Sequence, residues 1–141
     1  MDAKDYSYAC PAFNEVEELY LATNYWLSSV DFSCEEFHFF KKILKSFRDG
    51  SLGGLNAQLV NMQQCLYQLE LKRHLLKAEI INYRVLLDLQ LKEMILNGDS
   101  PSLAGLLAQH QKLHQDFLAL SGEVNRFKDE LFSISEAVFG D

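Results

Sequence analysis

The feature that most restricts the fold is a long run, from Leu55 to Leu96, that contains no proline and no interior glycine. Apolar residues recur in it at alternating steps of three and four, which places them along one side of a helix. Sustained over this many heptads, the spacing is typical of helices that pack on other helices as in coiled coils. The positions are Leu55, Leu59, Met62, Leu66, Leu69, Leu76, Ile80, Tyr83, Leu87 and Met94, with Arg73 and Gln90 at two intermediate steps.

The same spacing recurs on both sides of this run. The earlier positions are Val16, Leu19, Thr23, Trp26, Val30, Ser33, Phe37, Phe40, Leu44 and Phe47. The later ones are Leu103, Leu106, His110, Leu113, Phe117, Leu120, Val124, Phe127, Leu131, Ile134 and Val138. Turn-forming residues at 49–54 and 97–101 separate the three segments. We therefore predict helices over about 13–48, 55–97 and 101–139.

Short connections make neighbouring helices antiparallel, so the three helices are expected to run up, down and up. The predicted fold is all-α, an antiparallel three-helix coiled-coil bundle. Each helix would be on the order of 50–60 Å long, which makes the molecule a slender rod. We expect one domain over 13–141, preceded by a loose lead-in at 1–12.

Composition limits the classes of partner and the compartment. The net charge is −7, which disfavours binding to the phosphate backbone of nucleic acids. Three cysteines without framework spacing indicate reduced thiols, and no apolar segment follows the acidic start as in a secretory signal. No uncharged apolar run is long enough to cross a membrane. We expect a cytoplasmic protein that binds neither nucleic acid nor membrane.

Part of the first helix resembles a known group of sequences. The residues are Tyr25-Trp26-Leu27, then Phe32, then Glu36-Phe37-His38-Phe39-Phe40-Lys41-Lys42-Ile43-Leu44. In this pattern the chain is similar to small uncharacterised all-helical proteins of Bacteroidota, and the resemblance spans nearly the whole chain. It implies a helical fold and brings no activity or cofactor with it.

The histidines are the main candidates for chemistry. His110 and His114 are four residues apart on one predicted helix, and Glu15 and Asp88 project to nearly the same height, so these four residues are candidate metal ligands. A histidine in the bundle that is hydrogen-bonded to a carboxylate is the alternative explanation. No nucleophile motif or phosphate-binding loop accompanies them. We therefore predict neither an enzyme nor a cofactor, and keep metal or small-ligand binding as the alternative function.

Arg73 is a charged residue at a core-facing position of the long helix. Projection across the turns places it near Asp31 and Glu123, and Glu70 lies on its own helix. We expect one of these three carboxylates to pair with it. Such a residue usually lowers stability while fixing the register of the helices.

A second set of apolar residues gives the stronger functional prediction. On the long helix it consists of Leu71, Leu75, Ala78, Val85 and Leu89, and on the first helix of Leu21, Tyr25, Phe32 and Phe39. Both rows are shifted two residues from the core-facing positions, so they point away from the core. Their projected heights coincide, which predicts one shared outer surface. We expect it to bind a second copy, as a homodimer, or another helical protein. The alternative is that a thin core requires wide apolar stripes.

Overall fold

The computed structural model describes residues 11–49, 56–98 and 103–139, and all of these except Gly98 are helical. Helix α1 is Pro11–Asp49, α2 is Asn56–Asn97 and α3 is Leu103–Phe139. No strand occurs in these three ranges. The prediction of an all-α fold with three long helices is confirmed.

The ends of the helices follow local backbone chemistry. Helix α1 already includes Pro11, two residues before the predicted start, because proline suits a first turn whose N–H groups have no helical partner. Helix α2 ends where predicted: Gly98 adopts φ 70°, and its N–H donates to the Met94 carbonyl at 3.1 Å. This left-handed residue is a common helix terminator. The last two residues of the predicted lead-in at 1–12 are helical. The rest of that lead-in, the turn residues 50–54, the residues 99–102, the core position Leu55 and the side chain of Val138 lie outside what the structure describes.

Ion pairs show that α1 and α2 run antiparallel. Lys77 Nζ lies 2.7 Å from Asp31 Oδ1, and Lys41 Nζ lies 2.9 Å from Glu70 Oε1. The second pair is close enough for charge attraction, although its geometry is not that of a hydrogen bond. Residues later in α1 therefore face residues earlier in α2, as the short connection predicts.

Helices α2 and α3 are also antiparallel. Lys72 Nζ lies 3.0 Å from Glu123 Oε2, and the Tyr83 hydroxyl donates to the Leu106 carbonyl at 3.2 Å. Since α1 and α3 both oppose α2, they run parallel to each other. The predicted up-down-up bundle is confirmed. None of the described helices holds an apolar stretch long enough to span a membrane.

The core is the one that the spacing predicts. Every residue classed as buried in the described chain occupies a predicted core-facing position. The largest side chains with almost no exposure belong to all three helices: Tyr83, Phe37, Phe127, Leu44, Met62 and Ile80. Core positions recur every 3.5 residues on average, which is about one helical turn. Each helix therefore adds one side chain to the core with about every turn along the rod.

Small polar residues of α1 satisfy their hydroxyl groups within the helix. Thr23 Oγ1 donates to the Tyr20 carbonyl at 2.6 Å, and Ser33 Oγ donates to the Ser29 carbonyl at 3.1 Å. Such bonds to a carbonyl in the preceding turn let a hydroxyl be buried without a partner on another helix. These core positions are therefore polar without linking two helices.

Arg73 does not pair with any of the three carboxylates that the sequence suggests. Its guanidinium donates from Nη1 to the Val30 carbonyl of α1 at 3.3 Å, and its Nε has no hydrogen-bond partner in the described chain. The three candidate carboxylates, Asp31, Glu123 and Glu70, each lie next to a lysine instead. Lysines at the edges of the helix interfaces reach these carboxylates from the solvent side, whereas Arg73 enters the core between them.

Candidate functional site

His110 lies in an aromatic cluster built by all three helices. The ring centroid of Trp26, on α1, is 4.7 Å from that of His110 and 5.9 Å from that of His114. Tyr83, on α2, approaches His110 from the other side with a centroid distance of 5.8 Å. Trp26 and Tyr83 are buried, so His110 is held between two large rings that solvent hardly reaches.

Hydrogen bonding links Tyr83 to His110. The Tyr83 oxygen lies 3.2 Å from His110 Nδ1, and its hydroxyl donates to the Leu106 carbonyl at 3.2 Å. Burial raises the pKa of Tyr83 to about 12. Burial, and secondly the nearby His114, lowers the pKa of His110. Both members of the pair are therefore neutral near pH 7, which suits a core hydrogen bond.

The predicted metal ligands are not brought together. His110 contacts Tyr83, which lies about 7.5 Å along α2 from the level of Asp88 at 1.5 Å per residue. Asp88 instead pairs with Lys92 on its own helix at 3.0 Å. Within residues 11–49, 56–98 and 103–139, no three His, Cys, Asp or Glu side chains are placed to hold a metal ion. The projection across the turn placed the residues of α2 that face His110 too late in the chain. It therefore missed Tyr83 as the neighbour of His110.

The outer apolar rows are exposed, as predicted. The large members are between 49% and 67% exposed, and Ala78 is exposed as well. These members are Leu71, Leu75, Val85 and Leu89 on α2 and Leu21, Tyr25, Phe32 and Phe39 on α1. None of these side chains is among the buried residues of the described core.

Members of the two rows line different grooves, and not the single shared surface that the sequence predicts. Tyr25 and Phe32 line a groove between α1 and α3, whereas Leu75 lines a groove between α2 and α3. Helix α3 thus lies between Tyr25 and Phe32 on one side and Leu75 on the other. Equal height along the rod does not make residues neighbours, because each row turns toward the side of its helix on which α3 packs.

An open groove, the α1–α3 groove, runs between α1 and α3. It is defined here by Tyr25, Ser29 and Phe32 on α1 and by Leu118, Ser121 and Asn125 on α3, and has a volume of about 530 Å³. Helices α1 and α3 approach each other less closely than either approaches α2. Serines along its walls are too short to fill the space between the helices.

Side-chain contacts between α1 and α3 form the floor and one end of the α1–α3 groove. Tyr25 packs edge-on against Phe117, with ring centroids 6.0 Å apart. Further along, Lys128 of α3 forms an ion pair with Glu36 of α1, and both side chains are less than a third exposed. These contacts fix the height of α1 relative to α3, so that Phe32 and Asn125 lie at about the same level.

The sequence analysis did not identify two exposed apolar residues of α3 in and beside the α1–α3 groove. Leu118 and Phe132 on α3 are 54% and 55% exposed. They are fourteen residues apart, two heptads, with Asn125 midway, so they lie on one side of α3. A search for a second apolar row on α3, as on the other helices, would have found this pair, although the polar Asn125 interrupts the row.

Comparisons with known proteins add nothing about this surface. No protein-family model matches it. No curated protein and no solved structure is significantly similar to it. Its function is therefore inferred from the geometry of its own residues.

Proposed function

We propose that the protein is a non-enzymatic helical scaffold of the cytoplasm. It associates with a second copy of itself, or with a partner helix, through the apolar rows on the outside of its bundle. The observation that carries this proposal is the exposure of about half or more of each large side chain in these rows. Extended apolar surface of this kind usually marks an interaction site.

The arrangement of the rows supports binding of a helix. Tyr25, Phe32 and Phe39 recur every seven residues on α1, the spacing at which an apolar row meets a partner helix over its whole length. The α1–α3 groove beside this row is open and its floor is apolar. An amphipathic helix laid along such a groove would bury both the row and the floor.

The proposal is tested by measuring the mass of the purified chain at micromolar concentration with light scattering. We expect a mass above 16.2 kDa. Phe32→Glu and Leu75→Glu each place a charge in one of the two separated rows, and at least one of them should lower the mass. Gln64→Glu, at an exposed polar position of α2, is the matched control and should leave it unchanged.

Circular dichroism of the same samples separates dissociation from unfolding, because helicity should stay constant in all variants. A wild-type chain that remains monomeric with full helicity contradicts self-association. A mass that neither glutamate variant lowers shows that the chain associates through a different surface.

A further inference from the structure

We propose that the α1–α3 groove is the primary interface and that its occupant is a second copy of this chain, packed antiparallel about a twofold axis. This inference rests on the proposed function and specifies which surface is used and how the copies are oriented. In this arrangement α1 lies along α1 of the second copy, and α3 along α3. The axis passes at the level of Phe32 and Asn125.

The first observation is that large exposed apolar residues in and beside the groove are symmetric about that level. On α1, Tyr25 and Phe39 lie seven residues to either side of Phe32. On α3, Leu118 and Phe132 lie seven residues to either side of Asn125. An antiparallel twofold pairing needs a surface of this kind, because each side chain must meet the one at equal distance on the other side of the axis.

The contacts that follow are chemically matched. Phe32 meets Phe32 of the second copy at the axis, and Tyr25 meets Phe39 of the second copy on both sides of it. On the other helix Leu118 meets Phe132 of the second copy. Asn125 meets its own counterpart, and a pair of amides can hydrogen-bond to each other. A single asparagine within an apolar helix interface is a known means of fixing register.

Charge along α1 favours the antiparallel orientation. The exposed acids Glu15, Glu17 and Glu18 lie in its N-terminal part, and the exposed bases Lys42 and Lys45 lie in its C-terminal part. Reflection about Phe32 brings the level of Glu18 to that of residue 46, between the two lysines and Arg48. Lys45 and Arg48 themselves line the groove between α1 and α2. The acidic end of α1 thus lies near the basic end of the second copy, and the two attract each other at long range rather than through contacts across the interface. Complementary charge of this kind selects orientation and speeds association.

The buried area reaches the lower limit for a specific dimer. The five large side chains Tyr25, Phe32, Phe39, Leu118 and Phe132 are between 54% and 67% exposed. Because a large apolar or aromatic side chain carries about 200 Å² of surface, two copies would bury roughly 1,000 Å² from these side chains alone. That is about the lower limit for a specific interface, before the floor of the groove is counted.

Spin-label distances between the two copies test the orientation. In a variant carrying Cys10→Ser, Cys34→Ser, Cys65→Ser and Ser29→Cys, the label lies in the groove, three residues from the axis. In a second variant, Ser46→Cys replaces Ser29→Cys, and the label lies fourteen residues from the axis. The antiparallel dimer predicts about 9 Å between copies for the first label and about 42 Å for the second, at 1.5 Å per residue on each side. A short distance at both sites means a parallel dimer and overturns the inference.

Substitutions test the surface. Phe32→Glu should raise the dimer dissociation constant at least about 100-fold, because two carboxylates would meet at the axis. Leu75→Glu, in the groove between α2 and α3, should change it by less than about twofold. A dimer that Leu75→Glu separates and Phe32→Glu does not would leave the proposed function standing and overturn this interface. A wild-type monomer would overturn this interface together with self-association as the proposed function, and would leave only binding of a partner helix.

Discussion

Replacing Tyr83 by phenylalanine isolates the buried hydrogen bonds of the aromatic cluster. The phenylalanine ring fills the same space, so no cavity forms, and only the hydroxyl is lost. Leu106 still accepts its helical hydrogen bond, whereas Nδ1 of His110 loses its neighbour in a half-buried position. Loss of one net hydrogen bond, together with part of the cost of an unsatisfied nitrogen, lowers the free energy of unfolding by about 2 kcal/mol. The melting temperature should fall by roughly 5 °C.

The assay is urea denaturation followed by far-ultraviolet circular dichroism at one fixed protein concentration, since dimerisation would make stability depend on concentration. Tyr67→Phe, at an exposed tyrosine of the same helix, is the matched control and should leave stability unchanged. His110→Leu provides the second arm of a double-mutant cycle. In its background Tyr83→Phe should cost about 1 kcal/mol less, because no imidazole is left unsatisfied.

Two results would refute this reasoning. One is a Tyr83→Phe variant as stable as the wild type, which would mean that water or another group replaces the hydroxyl at no cost. The other is an equal cost of Tyr83→Phe with and without the imidazole of His110. Equal costs would show that the hydroxyl acts through the Leu106 carbonyl alone, although its oxygen also lies 3.2 Å from His110 Nδ1.

Three further predictions concern the core. Burial lowers the pKa of His110, so as the pH falls its imidazole is protonated in the unfolded chain before it is protonated in the folded chain. The free energy of unfolding should therefore decrease below about pH 6.5. In urea denaturation over a range of pH, His110→Leu should remove that part of the decrease. Arg73→Leu should raise the free energy of unfolding by about 1 kcal/mol, since Nε is buried without a partner, and a loss of stability in urea would contradict this account. In thermal denaturation Leu44→Ala should lower the free energy of unfolding by about 3 kcal/mol, because this side chain is 1% exposed. Leu96→Ala should lower it by less than about 0.5 kcal/mol, because that side chain is 79% exposed. Similar losses in the two variants would mean that α1 does not pack as described.

The sequence alone determined the three helices, their antiparallel order and the core. A strict three-four spacing leaves a helix only one side to bury, so Phe37, Ile80 and Leu131 could be assigned to the core without knowing what they contact. The same reasoning identified Tyr25 and Leu75 as exposed apolar residues, since they point away from the core-facing positions of their helices.

Only the tertiary structure decided which residues of different helices meet. The relative height of two helices depends on how their side chains interlock and on the path of the connection, and neither is encoded in the spacing. The sequence therefore placed Asp88 near His110, where the structure has Tyr83. It also joined the rows of Tyr25 and Leu75 into one surface, because heights say nothing about the side from which α3 packs.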